Sequence, residues 1–189
     1  DEISISLNNI DKISYSGPFK PSSAIYENDI IIKVLKKISI KKKLNIKIKK
    51  NIPWQAGLGS ASTDAASLIK GLQKLGLIKN INDSSLCKIG TDVPVCYYSQ
   101  NCIATNIGDK IYTDIKFPKY YFVLVQPITK LSTTNMYNKV KKYIKFENHN
   151  INKLSLLKNI QKYDIGNDFE KIITRINEEV TKILNFLKD

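Results

Sequence analysis

The 189-residue chain predicts a two-layer α+β fold, with strands and helices interspersed rather than strictly alternating. Three stretches carry that reading. Leu44, Ile46 and Ile48 alternate with Asn45, Lys47 and Lys49 in the period of a half-buried strand. Ala65, Leu68, Ile69, Leu72 and Leu75 recur at helical spacing, and so do Phe169, Ile172, Ile173, Ile176, Val180, Ile183, Leu184 and Leu187. There is no internal repeat.

Taken in order, Ile3, Ile5 and Leu7 alternate with Ser4 and Ser6 and predict a first strand. Gly17-Pro18 and Pro21-Ser22-Ser23 mark a loop, after which Glu27-Asn28-Asp29-Ile30 opens a helix to about Ser39 with Ile31, Val34, Leu35 and Ile38 on one face. Lys41-Lys42-Lys43 is a solvated turn before the strand at 44–49. From Lys50 to Ala66 a Gly/Ser/Ala-rich loop runs into the next helix, with Ser62, Thr63 and Asp64 as candidate caps and Gly76 as the stop. Asn82-Asp83-Ser84 caps a short turn over Leu86 and Ile89 that Gly90 ends. Asp92 then falls just past a helix end, at the mouth of a strand over Val95–Tyr98. Ile107-Gly108-Asp109 is the turn of a tight hairpin. Tyr120–Val125, bounded by Pro118 and Pro127, reads as a strand buried on both faces. A turn at Pro127–Thr134 and a polar stretch to Lys162 follow, and Asn167 and Asp168 cap the last helix.

Composition narrows the function. The net charge of +13 is almost all lysine, with Arg175 the only arginine, and the lysines scatter over strand and helix faces. Sequence-specific nucleic-acid readers favour arginine and interleaved aromatics, and neither a zinc-finger spacing nor an RNP-type segment occurs. No run of 18 apolar residues and no signal peptide is visible, so a soluble, cytoplasmic protein with no membrane partner is expected. Cys87, Cys96 and Cys102 form an odd set without metal-ligand spacing and read as free thiols. His149, the lone histidine, sits in an Asn-rich loop and reads as exposed and inert.

The loop is the chemical signature. Small residues at Ala56, Gly57, Gly59, Ser60 and Ala61 let backbone N–H groups and the positive end of a helix dipole approach an anion closely. A Walker A loop is excluded, because Gly59 is followed by Ser60-Ala61-Ser62-Thr63 and no basic residue appears before Lys70. A dinucleotide fingerprint is weak, because Ile78–Ser85 is a polar turn where a second apolar strand ending in an acid is required.

Pro53-x-x-Ala56-Gly57-Leu58-Gly59-Ser60-Ala61-Ser62 resembles the second motif of the GHMP kinases. Ser62-Thr63-Asp64-Ala65-Ala66, then Ile89-Gly90-Thr91-Asp92-Val93-Pro94-Val95 and Ala104-Thr105-Asn106-Ile107-Gly108-Asp109, make the chain most like the branch acting on 4-diphosphocytidyl-2-C-methyl-D-erythritol. The likeness runs from Asp1-Glu2-Ile3 through Glu27-Asn28 to Asn167–Glu170. It implies a GHMP-kinase-like (ribosomal protein S5 domain 2-like) N-terminal lobe over 1–126 that binds ATP, and the start of a C-terminal lobe over 127–189.

It also implies ATP and Mg²⁺ as cofactors and phosphorylation of the 2-hydroxyl of that cytidine diphosphate methylerythritol substrate in non-mevalonate isoprenoid synthesis. Pro53, Ala56, Gly57, Leu58, Gly59, Ser60, Ala61, Ser62 and Thr63 would cradle ATP, with Ser62 also on the metal. Asn28 and the Lys50–Pro53 backbone would line the adenine pocket. Asp92 would be the catalytic carboxylate, Tyr137 would stack on cytosine, and Thr133 would lie near the reacting hydroxyl. The family pairs its Asp with a Lys on an N-terminal strand and adds a third Gly-rich motif. Neither has a counterpart here, so the chain is expected to be truncated at both ends, as a monomer or homodimer. An inactive nucleotide-binding remnant and a basic nucleic-acid-binding protein are the alternatives.

Overall fold

Alternating isoleucines build the sheet. A computed structural model describes residues 1–21, 29–53, 56–113, 115–116, 119–129, 133–140, 167 and 169–188. Strands β1 (Glu2–Leu7), β2 (Lys12–Ser16) and β3 (Leu44–Lys49) form a three-stranded sheet in the order β1-β3-β2. β1 runs antiparallel to β3, placing Ile3 opposite Ile48 and Ile5 opposite Ile46. β2 runs parallel to β3, placing Ile13 opposite Ile46 and Tyr15 opposite Ile48. The inward positions therefore form two cross-strand apolar rows, while Ser4, Lys47 and Ser14 make a polar row on the other face.

The parallel pairing of β2 and β3 requires a crossover, and α1 (Ile30–Lys37) supplies it. Asp29 caps that helix: its Oδ1 accepts from the Ile31 N–H at 2.7 Å, and its Oδ2 accepts from the Tyr15 hydroxyl at 2.7 Å. One carboxylate thus ties β2 to the start of α1. The longest helix, α2 (Ser60–Lys74), packs Leu68, Ile69 and Leu72 at zero exposure into a core shared with Ile31, Val34, Leu44, Ile46 and Ile48. Gly76 ends it in the left-handed conformation, with the Leu77 N–H donating to the Leu72 carbonyl at 3.0 Å, as its position after the apolar stripe predicts.

Next come α3 (Asp83–Cys87), capped by Asn82 through the Ser85 N–H at 2.9 Å, and α4 (Val93–Tyr98), which packs on α2. A hairpin of β4 (Ile103–Thr105) and β5 (Lys110–Tyr112) turns through Gly108 at φ +90°, where the expected turn lies. These elements belong to one compact unit, Asp1–Trp54 with Leu58–Ile115; the other unit is Gln55–Gly57 with Lys116–Asp189. In the second unit α5 (Thr133–Lys139) is followed by α6 (Glu170–Ile176) and α7 (Glu178–Lys188), and the Glu179 carboxylate accepts from the Ile128 and Thr129 N–H groups. Those bonds hold the Glu179 carboxyl below its usual pKa.

The α+β class holds, three local expectations do not, and one strand, β2, was not predicted. Val95–Tyr98 is helix rather than strand. Pro94 falls in the first turn of α4, where its missing N–H costs nothing and its fixed φ suits a helix, so the β-branched neighbours are overruled. Tyr120–Val125 pairs with no strand among the described residues, and Tyr121, Phe122, Val123 and Leu124 are 74–88% exposed. An apolar run becomes a strand only where a partner backbone completes its hydrogen bonds. β2 is an added strand whose pairing is set by β3 rather than by its own short alternation. The last helix breaks at Asn177, which is extended (φ −138°, ψ 101°) and uses its Oδ1 to cap α7 through the Val180 N–H. Asp168 lies outside the described residues.

Leu68 on α2 is fully buried in the shared core. Leu68→Ala should cost about 2–5 kcal/mol in a urea titration at unchanged m-value. A cost under about 1 kcal/mol would mean that α2 is not packed as described.

Candidate functional site

The first turn of α2 is an open set of donors. Gly59 is its N-cap and adopts the left-handed conformation (φ 67°, ψ 18°). No atom lies within 4 Å of where a Cβ would sit, so the backbone angle alone demands glycine there. The Thr63 N–H closes the first helical bond on the Gly59 carbonyl at 2.9 Å. No side chain caps the helix and no acidic residue occupies its first turn. The N–H groups of Ser60, Ala61 and Ser62 therefore point out of the helix with the positive end of its dipole behind them. An anion with several oxygens matches that arrangement.

Ser62, Thr63 and Asp64 are not the caps that the sequence predicts. The Thr63 hydroxyl donates back to the Gly59 carbonyl at 3.1 Å and lies 3.5 Å from the Cys96 sulfur. The Ser60 hydroxyl is engaged from behind, donating to Asp1 Oδ2 at 2.6 Å and accepting from Lys50 Nζ at 2.5 Å. Ser62 is half-buried and has no side-chain partner among the described residues. It is the hydroxyl of the first turn that is available to a ligand.

Behind this turn lies a buried ionic cluster. The period-2 alternation of β3 continues to Lys50, which puts its side chain on the inward side. Its ammonium contacts Asp1, and reaches Asp64 Oδ2 at 2.6 Å; the side chains of Lys50, Asp1 and Asp64 are 7%, 2% and 7% exposed. The other Asp1 oxygen accepts from the Asn51 and Ile52 N–H groups at 2.6 and 2.8 Å. Burial outweighs the hydrogen bond and the attraction of Lys50 and lifts the Asp64 carboxyl above its usual pKa. Lys50 and Asp1 were missing from the expected site side chains. The signal was available: position 50 keeps the parity of Leu44, Ile46 and Ile48, and a buried lysine requires acidic partners.

Asp92 begins α4, the helix that packs on α2. It is the N-cap of α4 but makes no side-chain capping bond, and its carboxylate is exposed. Its carbonyl accepts the Cys96 N–H at 3.1 Å, so Asp92 sits one helical turn from the residue that meets Thr63. The hairpin backs this segment: a Cβ on Gly108 would come within 2.3 Å of the Thr91 carbonyl oxygen, leaving room only for glycine. The first turn of α2 and Asp92 belong to one unit, joined through the Thr63–Cys96 contact.

The other expected site residues are spread differently. Pro53 and Ala56 are half-buried, Gly57 has φ 71° and Leu58 is 46% exposed. Asn28 lies outside the described residues. Tyr137 belongs to the second unit, 55% exposed, with its ring edge-on to Phe169 at 5.0 Å. Thr133 opens α5. Among the described residues no three His, Cys, Asp or Glu side chains group to hold a metal ion. No described helix is long and apolar enough to cross a membrane.

Comparison with known proteins gives this geometry a context. A family model described as the GHMP kinases N terminal domain matches residues 25–104. The chain is 37% identical over 108 residues to a 4-diphosphocytidyl-2-C-methyl-D-erythritol kinase of Clostridium tetani, covering 55% of this chain and 38% of the relative. It is 31% identical to the kinase of that name from Lactiplantibacillus plantarum, over 95% of this chain and 65% of the relative. For the one from Thermoanaerobacter sp. the identity is 27%, over 100% of this chain and 67% of the relative. The chain thus spans between 38% and 65% of the length of the first three curated relatives. A crystal structure of 4-(cytidine 5'-diphospho)-2C-methyl-D-erythritol kinase shares the fold with a TM-score of 0.52 and 21% identity, over 74% of this chain and 50% of that one.

The raised Asp64 pKa has a definite sign in stability. Folding takes up a proton at that carboxyl, so its contribution is full below the unfolded value of about 3.9 and is lost as pH rises through the higher folded value. Urea stability of Asp64→Asn, compared with the unsubstituted protein between about pH 4 and 7, should therefore gain relative ground as pH rises. Parallel profiles would contradict a raised Asp64.

Proposed function

We propose that this chain, whose residues 25–104 match the GHMP kinases N terminal domain, supplies the phosphate-binding and catalytic face of a kinase of that family. That kinase transfers the γ-phosphoryl group of ATP to the 2-hydroxyl of 4-diphosphocytidyl-2-C-methyl-D-erythritol, in non-mevalonate isoprenoid synthesis. One observation carries the reading: the uncapped N-terminus of α2, entered through a left-handed Gly59, stands one turn of α4 from a free carboxylate at Asp92. The names of the relatives supply the substrate.

Phosphoryl transfer asks the protein to hold the phosphates, offset their charge and orient the attacking hydroxyl. The N–H groups of Ser60, Ala61 and Ser62 and the dipole of α2 meet the first two demands. Mg²⁺ would travel with the nucleotide, held mainly by phosphate and water oxygens and by the Ser62 hydroxyl, and would supply further charge neutralisation. Asp92 accepts a hydrogen bond from the substrate hydroxyl and takes its proton as the new oxygen–phosphorus bond forms and the bond from the γ-phosphorus to the ADP oxygen breaks, releasing ADP. In the second unit, the exposed face of Tyr137 is the stacking surface assigned to the cytosine ring and Thr133 is assigned to the substrate hydroxyls. The protein works in the cytoplasm on small molecules, as a monomer or homodimer.

Two substitutions separate binding from chemistry. Gly59→Val forces a β-branched residue into a left-handed N-cap and should abolish the thermal shift produced by Mg·ATP, with circular dichroism still showing the fold. Asp92→Asn should keep that shift and lower turnover about 10²–10⁴-fold. An unchanged shift in Gly59→Val would remove the phosphate site, and near-normal turnover in Asp92→Asn would remove Asp92 from the mechanism.

A further inference from the structure

Lys50 lies behind the proposed phosphate site, and its connections set it apart from the other lysines. Its backbone is fixed to β2, with its N–H donating to the Ser16 carbonyl at 2.8 Å and its carbonyl accepting from the Phe19 N–H at 3.2 Å. Its ammonium is shared among Asp1, the Ser60 hydroxyl and Asp64. Asp1 in turn holds the Asn51 and Ile52 N–H groups, where the loop departs from β3, and the Ser60 hydroxyl, where α2 begins. The loop's departure and its return are therefore fastened to one ammonium. The visible salt bridges elsewhere, such as Lys43–Asp11 and Lys49–Glu2, are more than half exposed and screened.

The charge count gives this cluster a second consequence. With both carboxylates ionised, two carboxylates and one ammonium leave the three side chains one negative charge in excess, buried against the first turn of the helix that is to receive phosphate. Without the lysine the excess becomes two, in surroundings that screen charge far less than water does. Such a field opposes the anion that the α2 dipole attracts.

We propose that Lys50 is a positioning residue for phosphate at the N-terminus of α2, holding the loop's two ends together and compensating the Asp1 and Asp64 carboxylates so that a polyphosphate can approach. This rests on the reading of α2 as a nucleotide site. Lys50 does not touch the ligand. It acts through Asp1, Ser60 and Asp64, and its effect grows with the charge of what binds.

The test uses the full chain at a temperature where circular dichroism shows each variant folded, at about pH 8, above the ordinary carboxylate range. Titration with ATP, ADP and AMP should show Lys50→Met weakening ATP about tenfold or more, ADP less and AMP least. Lys50→Met/Asp64→Asn returns the side-chain charge to that of the natural cluster and should recover ATP affinity to within about threefold. If Lys50→Met does not fold, the double variant, which leaves no second unpaired carboxylate, is the one that decides. Equal weakening of all three nucleotides would reduce Lys50 to a structural role, and unchanged ATP affinity, or a folded double variant that fails to recover it, would overturn the proposal. Absence of ATP binding by the unsubstituted chain is a separate failure, which removes the α2 site itself and this inference with it.

Discussion

A lysine on the inward side of a sheet cannot remain unpaired, and much of the site's geometry follows from how Lys50 is satisfied. Burying an isolated ammonium costs far more than a domain's margin of stability, so its partners have to be built around it. Asp1 reaches it from the start of β1, Asp64 from the second turn of α2, and Ser60 from the first residue of that helix. None of these pairs need stabilise the fold on balance, since desolvation offsets most of the Coulomb attraction. What they fix is position: β1, the end of β3 and the start of α2 have to meet at one point.

That meeting point sets what the helix can offer. Because Ser60 and Asp64 turn backwards to the cluster, and Thr63 bonds the Gly59 carbonyl, no side chain closes over the first N–H groups of α2. Where most helices place a Ser, Thr, Asp or Asn cap, this one has a glycine in the left-handed conformation and leaves its donors open. The α2–α4 contact at Thr63 and Cys96 then sets how far Asp92 stands from those donors, and Gly108 packed against Thr91 holds the segment that presents the carboxylate.

Much of this was legible in the residues themselves. The inward isoleucines of β1 and β3, the stripe of α2, the Asn82 cap, the Gly76 stop and the hairpin at Gly108 all follow from spacing and from local turn chemistry. The parts that were not legible depend on partners distant in sequence. β2 is a strand because β3 lies beside it, and Tyr120–Val125 is not one among the described residues because no backbone there completes it. Val93–Tyr98 carries strand-like side chains, yet Pro94 in a first turn and packing on α2 make it a helix. Asp64 looks like a cap from its neighbours alone, and only the parity of Lys50 on β3 shows what it pairs with.

The most direct test of the central claim is the backbone amide spectrum of the ¹⁵N-labelled chain during titration with Mg·ATP and, separately, with adenosine. Phosphate bound at an uncapped helix start should shift the Gly59, Ser60, Ala61 and Ser62 amides strongly with ATP and leave them nearly still with adenosine. Shifts spread over the exposed lysines of the sheet and α1, with those four amides unmoved, would contradict it.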